Sequence, residues 1–451
     1  MAPTGTPSTP DHLIMLAEMG REDQVRAALG TLHPADAAEV LDALEEDDLR
    51  FRLFVDLDTA RAAAVLSLLG EHARESLLDA LPEQRLRAIV AALDSDDAAD
   101  LLAELPRDRV ERLLQAIPPR LSADVRHLMR YDEESAGGIM QREFVAVPAD
   151  ATVEQAIEAV RRRGGDLPDL HNVFVVDGEQ RLVGVLPLRL LILATPETPV
   201  SAIMQTDPVA AHTGMDQEEV AGLFSKYDLV SLPVVDAGGR IVGRITVDDI
   251  VDVLKEEASE DIYRLAGLGQ ESSVLEPARV SIRKRLPWLV VNLFTCLISV
   301  SVVALFEGTI RDLAIAAAFM TMVAGSGGNA GVQTLAIVVR GLALEEVTFL
   351  NARRVILKEF LTGATNGVVL GLIAGGVALA WKGVPLIGLV LTIAILANLC
   401  IAALVGVLIP LGLKWGGIDP AIASAVVLTA ITDSCGFLLF LGLLTVFRPF
   451  F

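Results

Sequence analysis

The sequence predicts a multidomain membrane protein. An all-α helical-repeat domain and two α/β units come first, then a connecting helix and an α-helical membrane domain of five spans. Two observations carry this. The first is where the apolar runs fall: a bilayer core needs about 20 apolar residues per helix, and Leu286–Phe306, Leu313–Val339, Leu361–Trp381, Pro385–Leu413 and Ala421–Val446 all lie in the C-terminal part. The second is charge. The chain holds 37 basic and 59 acidic residues, of which Ser281–Phe451 contains 11 and 7. That leaves 26 basic against 52 acidic residues before it, a net of −26 against +4. A strongly acidic half therefore precedes an apolar, slightly basic one. This balance argues against nucleic acid and for cations as partners.

Residues 1–10 have no basic residue and no apolar core, so they read as a disordered tail and not as a signal peptide. Residues 11–130 carry short amphipathic helices. His33–Leu44, Leu57–Leu69 and Leu81–Leu93 recur about every 24 positions, and Asp94–Leu105 follows at once. Repeats of this kind stack into a small superhelix. Residues 138–199 and 200–254 are two similar units. Each has a Met-containing start (Met140, Met204), an amphipathic helix and β-branched runs such as Asn172–Asp177 and Leu232–Asp236.

Residues 255–285 continue as an acidic connecting helix, and 286–451 form the membrane domain. Asp248, Asp252, Glu256 and Glu260 lie four residues apart on one slanting helix face, thickened by Asp249, Glu257 and Asp261. Such like-charge spacing destabilises a helix by roughly 0.2–0.5 kcal/mol per pair. A solvated face tolerates this. Divalent cations would remove it, because carboxylate oxygens are the ligands that Mg²⁺ and Ca²⁺ take.

Within the last span Asp433 is the only charge between Asp419 and Arg448. An intramembrane carboxylate is costly and faces a pore, a partner charge or a bound cation; otherwise it is protonated, or capped by Thr429 and Ser434. The stretch Gly325–Gly331 is expected to interrupt the second span. There Gly327, Gly328 and Gly331 alternate with Asn329, Gln333 and Thr334, which fits either close helix packing or a cavity lining. With the N-terminal half inside, the inner segments hold eight Lys/Arg and the outer ones three, which favours a cytosolic N-terminal half. Cys296, Cys400 and Cys435 fall in the apolar half without metal spacing or a disulfide framework. No Ser/His/Asp, Cys/His or P-loop constellation points to an enzyme.

The two α/β units resemble tandem CBS domains. In that family a Thr near the last strand and an Asp opening the final helix can hold the ribose of ATP or another adenine nucleotide. Thr246 and Asp249 match; the first unit has Leu190 in place of the Asp. From about residue 30 onward the whole order resembles the MgtE family of magnesium channels and transporters. The matching stretches are Gly327–Thr334 with Arg340–Leu344, Asp419-Pro-Ala421 followed by Asp433, and Glu256–Ile262.

The resemblance implies a homodimer in a bacterial plasma membrane, with a pore lined by the second and fifth spans. Gly328, Asn329, Gln333, Thr429 and Asp433 fall on that lining, and Asp433 of each copy would bind hydrated Mg²⁺. Cytosolic Mg²⁺ would bridge the acidic domains and close the pore. Asp96, Asp97 and Asp100 in the repeat domain, and Asp216 and Asp228 in the second α/β unit, are further candidate ligands. The chain departs from the family pattern at Ala64, where an acidic residue is common, and at Ala425 and Val426, where a Pro is usual. Two other readings stay open: a less selective carrier of Co²⁺, Ni²⁺ or Mn²⁺, and a nucleotide-sensing membrane receptor without transport.

Overall fold

The computed structural model describes residues 9–163, 167, 170–268, 278–344, 346–422 and 425–450. Residues 1–8 of the expected tail and 269–277 of the expected connecting helix lie outside the described residues. The chain forms two compact units, Met1–Leu254 and Lys255–Phe451.

In the first unit α1 (Pro10–Glu18) and α2 (Glu22–Leu29) precede two interleaved helix series. One series is α3 (Pro34–Asp42), α5 (Thr59–Leu68), α7 (Glu83–Val90) and α9 (Arg107–Ala116). The other is α4 (Asp47–Val55), α6 (Glu71–Ala80), α8 (Ser95–Ala103) and α10 (Pro119–Leu128). Starts within each series are 24 or 25 residues apart, so the repeat read from the sequence is a two-helix repeat. An arginine near the start of α5, α7 and α9 ties each of these helices to the preceding layer. Arg61 donates to the Leu32 carbonyl, Arg85 to Leu57 and Arg109 to Leu81. Each of these carbonyls lies near a helix end, where backbone acceptors lack intrahelical partners.

The α/β pair follows as β1 (Ala146–Pro148), α11 (Val153–Arg163), β2 (Asn172–Val176), β3 (Leu182–Pro187), α12 (Leu188–Leu193), β4 (Gln205–Thr206), β5 (Ala211–His212), α13 (Gln217–Tyr227), β6 (Ser231–Val235), β7 (Ile241–Thr246) and α14 (Val247–Leu265). The sheets run β1-β2-β3-β4 and β5-β6-β7, each with one parallel pair at its start. The two units exchange their starting segments. β4 pairs with β3 of the first unit, and Gln141 bridges to Arg244 of β7. The two methionines seal this exchange. A Cβ on Gly184 would lie 2.6 Å from Met204 Sδ, and one on Gly243 would lie 2.6 Å from Met140 Sδ. The core of the helical repeat continues into the second α/β unit through Leu101, Val125, Met140, Ile245 and Ile250.

Helix α14 runs through the expected boundary at residues 254 and 255, because no Gly or Pro interrupts Val247–Leu265. It ends ahead of Gly267, whose φ of +77° suits glycine alone at low cost.

The second unit contains α15 (Ala278–Ala304), α16 (Glu307–Asp312), α17 (Ile315–Ala343), α18 (Ala352–Lys382), α19 (Pro385–Trp415) and α20 (Ala425–Phe447). Five of these are long and apolar enough to cross a membrane. Several overrun their apolar stretches, since helix continues through Arg283–Arg285 in α15 and Arg353–Lys358 in α18.

One expectation is corrected. The glycine-rich segment does not break the second span: α17 is continuous from Ile315 to Ala343. The glycines sit where neighbouring helices press in. A Cβ on Gly327 would lie 2.2 Å from Asn398 Nδ2 of α19, and one on Gly331 would lie 2.8 Å from Leu428 Cδ2 of α20. Packing space, not backbone irregularity, is what these glycines supply. α18 and α19 meet along a similar row. Gly363, Gly367, Gly371 and Gly375 recur every four residues, and a Cβ on each would fall within 3 Å of an α19 atom.

Candidate cation sites

Two carboxylate sites stand out, a cluster in the first unit and a single aspartate in the second. In the first unit α8 opens on Asp94, Asp96 and Asp97, and α14 opens on Asp248 and Asp249. Asp96 is 7 % exposed. Its Oδ2 accepts a hydrogen bond from Gln141 Nε2 at 3.3 Å, and Oδ1 has no partner among the described residues. Gln141 Oε1 accepts from Arg244 at 2.8 and 3.2 Å, and Asp249 Oδ2 accepts from Thr246 Oγ1 at 2.6 Å.

Burial, followed by the charge of Asp249, holds the Asp96 carboxyl well above its ordinary value. The same two causes push Asp97 up to about 6, with Asp94 and Asp248 adding to them. Burial also raises Asp249 to about 6, while its bond to Thr246 works in the opposite direction. Like charges gathered out of water favour taking up either protons or a cation.

The structure distributes the other predicted ligands. Asp100 is exposed on α8. Asp216 caps α13, accepting the Glu218 amide at 2.8 Å, and Asp228 ends the same helix with φ +51°. These two stand at opposite ends of α13 and do not converge. Asp248, Asp252 and Glu256 are exposed along α14, Glu257 is half-buried, and burial raises the Asp261 carboxyl. Glu260 pairs with Arg264, and Arg264 also pairs with Asp419 ahead of α20. Among the described residues no three His, Cys, Asp or Glu side chains form a ready metal cage.

The second site centres on Asp433, about 12 Å beyond the start of α20 at the usual helical rise. It lines a 330 Å³ cavity shared with α15 and α17 and is the only charged residue of that lining among the described residues. Neither expected cap engages it. The Thr429 hydroxyl donates to the Ala425 carbonyl at 2.8 Å, and Ser434 Oγ pairs with Ser299 at 3.0 Å. Gly328 backs onto Thr429, at 3.4 Å from an added Cβ to Cγ2. Asn329 and Gln333 lie on the exposed side of α17 and do not join the cavity within one chain.

Sequence reasoning missed Asn398. This fully buried side chain donates to the Val323 carbonyl at 2.9 Å and fills the space between Gly327 and Gly436, tying together α17, α19 and α20. A lone amide in an otherwise apolar span was its signal.

Fold and sites together define a multi-pass membrane protein whose acidic soluble unit precedes an intramembrane carboxylate, as expected of a cation transporter. The comparisons agree. Residues 320–443 match the MgtE divalent cation transporter domain, 32–134 the MgtE intracellular N domain, and 136–196 and 200–256 CBS domains. Magnesium transporters MgtE of Thermus thermophilus, Bacillus subtilis and Enterococcus faecalis are 38 %, 37 % and 36 % identical. These matches cover 72 %, 72 % and 73 % of this chain, and 73 %, 72 % and 73 % of the relatives. The chain belongs to the MgtE family of magnesium transporters. The crystal structure of the cytosolic domain of the Mg²⁺ channel MgtE in complex with ATP is similar at 40 % identity and a TM-score of 0.50, covering 54 % of this chain and 99 % of that one.

Proposed function

We propose that this protein is a Mg²⁺-selective channel that admits magnesium across a bacterial plasma membrane as a homodimer, with its N-terminal half in the cytosol. The observation that carries the reading is Asp433: a carboxylate inside a span, facing a cavity, with neither neighbouring hydroxyl capping it. Mg²⁺ gives up its waters reluctantly. Two Asp433 side chains across a two-fold axis would hold the hydrated ion, and unloaded they would repel. Asn329 and Gln333, exposed on α17 of one chain, would then face the partner copy and complete the lining with Gly328 and Thr429. Asp433→Ala tests this. Mg²⁺ uptake by the variant, in cells lacking other importers, at the level of the unsubstituted protein would refute it.

Cytosolic Mg²⁺ closes the pore in this reading. The donor set fits the ion: Asp96 offers a buried oxygen with no partner, beside Asp97 and Asp249. The exposed stripe Asp248, Asp252 and Glu256 offers weaker, water-mediated contacts, with Asp100, Asp216, Asp228, Glu257, Glu260 and Asp261 as further acidic contributors. A dispersed set of carboxylates suits an ion that keeps several waters. Closure requires that Mg²⁺ bind the closed state better than the open one, by about 5.5 kcal/mol in all for a nearly complete switch.

Nucleotide binding is a second, separate reading, favoured by the ATP complex of the similar cytosolic domain. Thr246 and Asp249 would hold the ribose. Calorimetry on the detergent-purified chain that gives no heat with ATP, with or without Mg²⁺, would remove it. Selectivity among divalent cations is decided by competing Co²⁺, Ni²⁺ and Mn²⁺ against Mg²⁺ flux, since carboxylates bind all of them.

A further inference from the structure

Helix α15 is built inside out. Leu286, Leu289, Leu293, Phe294 and Leu297 are exposed, whereas Ser299 is its one buried residue among those described. Asn292, Thr295 and Ser299, spaced three and four apart, share the face turned to α20, and all three line the Asp433 cavity. Polar side chains in hydrocarbon belong against protein or a water-filled cavity. Two hydroxyl pairs fix the register. Ser299 meets Ser434 at 3.0 Å, and Thr309 of α16 meets Thr445 at 2.7 Å. The second pair lies ten residues further along one strand of chain and eleven along the other, so α15 and α20 run parallel. The Thr295 hydroxyl donates to the Asn292 carbonyl at 2.8 Å, which leaves its oxygen lone pairs to accept.

We infer that Asn292 and Thr295 form a first-span wall of the ion path and accept hydrogen bonds from the water shell of a divalent cation held at Asp433. Waters bound to a cation direct their hydrogens outward, so the second layer needs acceptors. The Asn292 and Thr295 side chains supply them, and among the described residues no Lys or Arg lines the cavity to repel the ion. The inference rests on the reading of Asp433 as the pore carboxylate.

The test uses the full chain in proteoliposomes. Thr295→Val keeps shape and removes the hydroxyl, and Asn292→Leu removes the amide. The double variant is expected to lower Mg²⁺ flux at least about tenfold, as loss of two hydrogen bonds to the polarised water shell of the cation does. Thr295→Ser is expected to retain flux. A second measurement guards against misfolding. With Cys296, Cys400 and Cys435 replaced by Ser, Thr295→Cys is expected to react with a charged methanethiosulfonate, more slowly in saturating Mg²⁺. Unchanged flux in the double variant, or a Thr295→Cys thiol inert to the reagent from both sides, overturns the inference. If Asp433→Ala abolishes flux while the double variant transports normally, the α15 wall alone falls. If Asp433→Ala transports normally, the pore reading falls and takes this inference with it.

Discussion

Two acidic sites in one chain handle negative charge in opposite ways. The site in the first unit crowds Asp96, Asp97 and Asp249 together at two helix starts, where burial and the charge of Asp249 raise Asp96 and Asp97 and favour taking up a cation or protons. In the membrane site Asp433 stands alone as the charged residue of its cavity among the described residues. A crowded cluster responds to its surroundings within one chain. A solitary carboxylate leaves the ion free to move on, and under the dimer reading it needs a second copy to form a pair. Under the proposed function, regulation and passage therefore call for different densities of the same chemical group.

The sharpest way to break this comparison is Asp433→Asn, which keeps the shape and removes the charge. Mg²⁺ flux in proteoliposomes should fall to background, while the pH-dependence of melting of the soluble unit stays as it was. Next in size is the cluster. Asp96→Asn with Asp97→Asn should stabilise the chain in Mg²⁺-free buffer at pH 7 by about 1–3 kcal/mol. It should also diminish the rise in melting temperature expected of the unsubstituted protein on adding Mg²⁺.

The same cluster sets a pH-dependence. Its carboxylates bind protons more tightly folded than unfolded, so their stabilising contribution is present below the ordinary value of 3.8 and is lost as pH rises through about 6. Without Mg²⁺, the melting temperature of the soluble unit should fall between about pH 4 and pH 6 and then level off. Mg²⁺ should flatten that fall. Arginine-paired carboxylates such as Glu22 and Glu111 are lowered instead and act in the opposite sense at lower pH.

A smaller effect is expected from the α14 stripe. Asp252→Asn with Glu256→Gln should weaken inhibition by internal Mg²⁺ several-fold in patch recordings, with permeation intact. Adding Glu260→Gln tests more than charge, because Glu260 also holds Arg264, the partner of Asp419. An effect on stability alone belongs to packing. Gly375→Ala would place a Cβ 2.3 Å from Thr392 Oγ1 and 2.6 Å from the Gly388 carbonyl, and should cost about 1–3 kcal/mol. Gly376→Ala meets nothing within 4 Å and should be neutral or slightly stabilising.

Much of this was legible in sequence because it rests on local pattern. The five spans follow from apolar length, the helical repeat from a 24-residue period, and the α14 stripe from four-residue spacing. Three features were not legible, each because it depends on what another segment places opposite. The glycines of α17 read as a break, but their spacing matches the approach of Asn398 and Leu428. The exchange of Met140 and Met204 between the α/β units depends on Gly243 and Gly184, which the sequence does not connect to them. The polar face of α15 was hidden because span counting averages over all sides of a helix, so that a run rich enough in Leu and Val passes as uniformly apolar.

The glycine row joining α18 and α19 also has a practical use. Two helices that approach backbone to backbone along a row of glycines cannot slide past one another without separating. The outward residues Leu370 and Ile373 of this pair are exposed. A spin label at either one would ride on this frame, from which any displacement of α15 or α20 on adding Mg²⁺ could be measured.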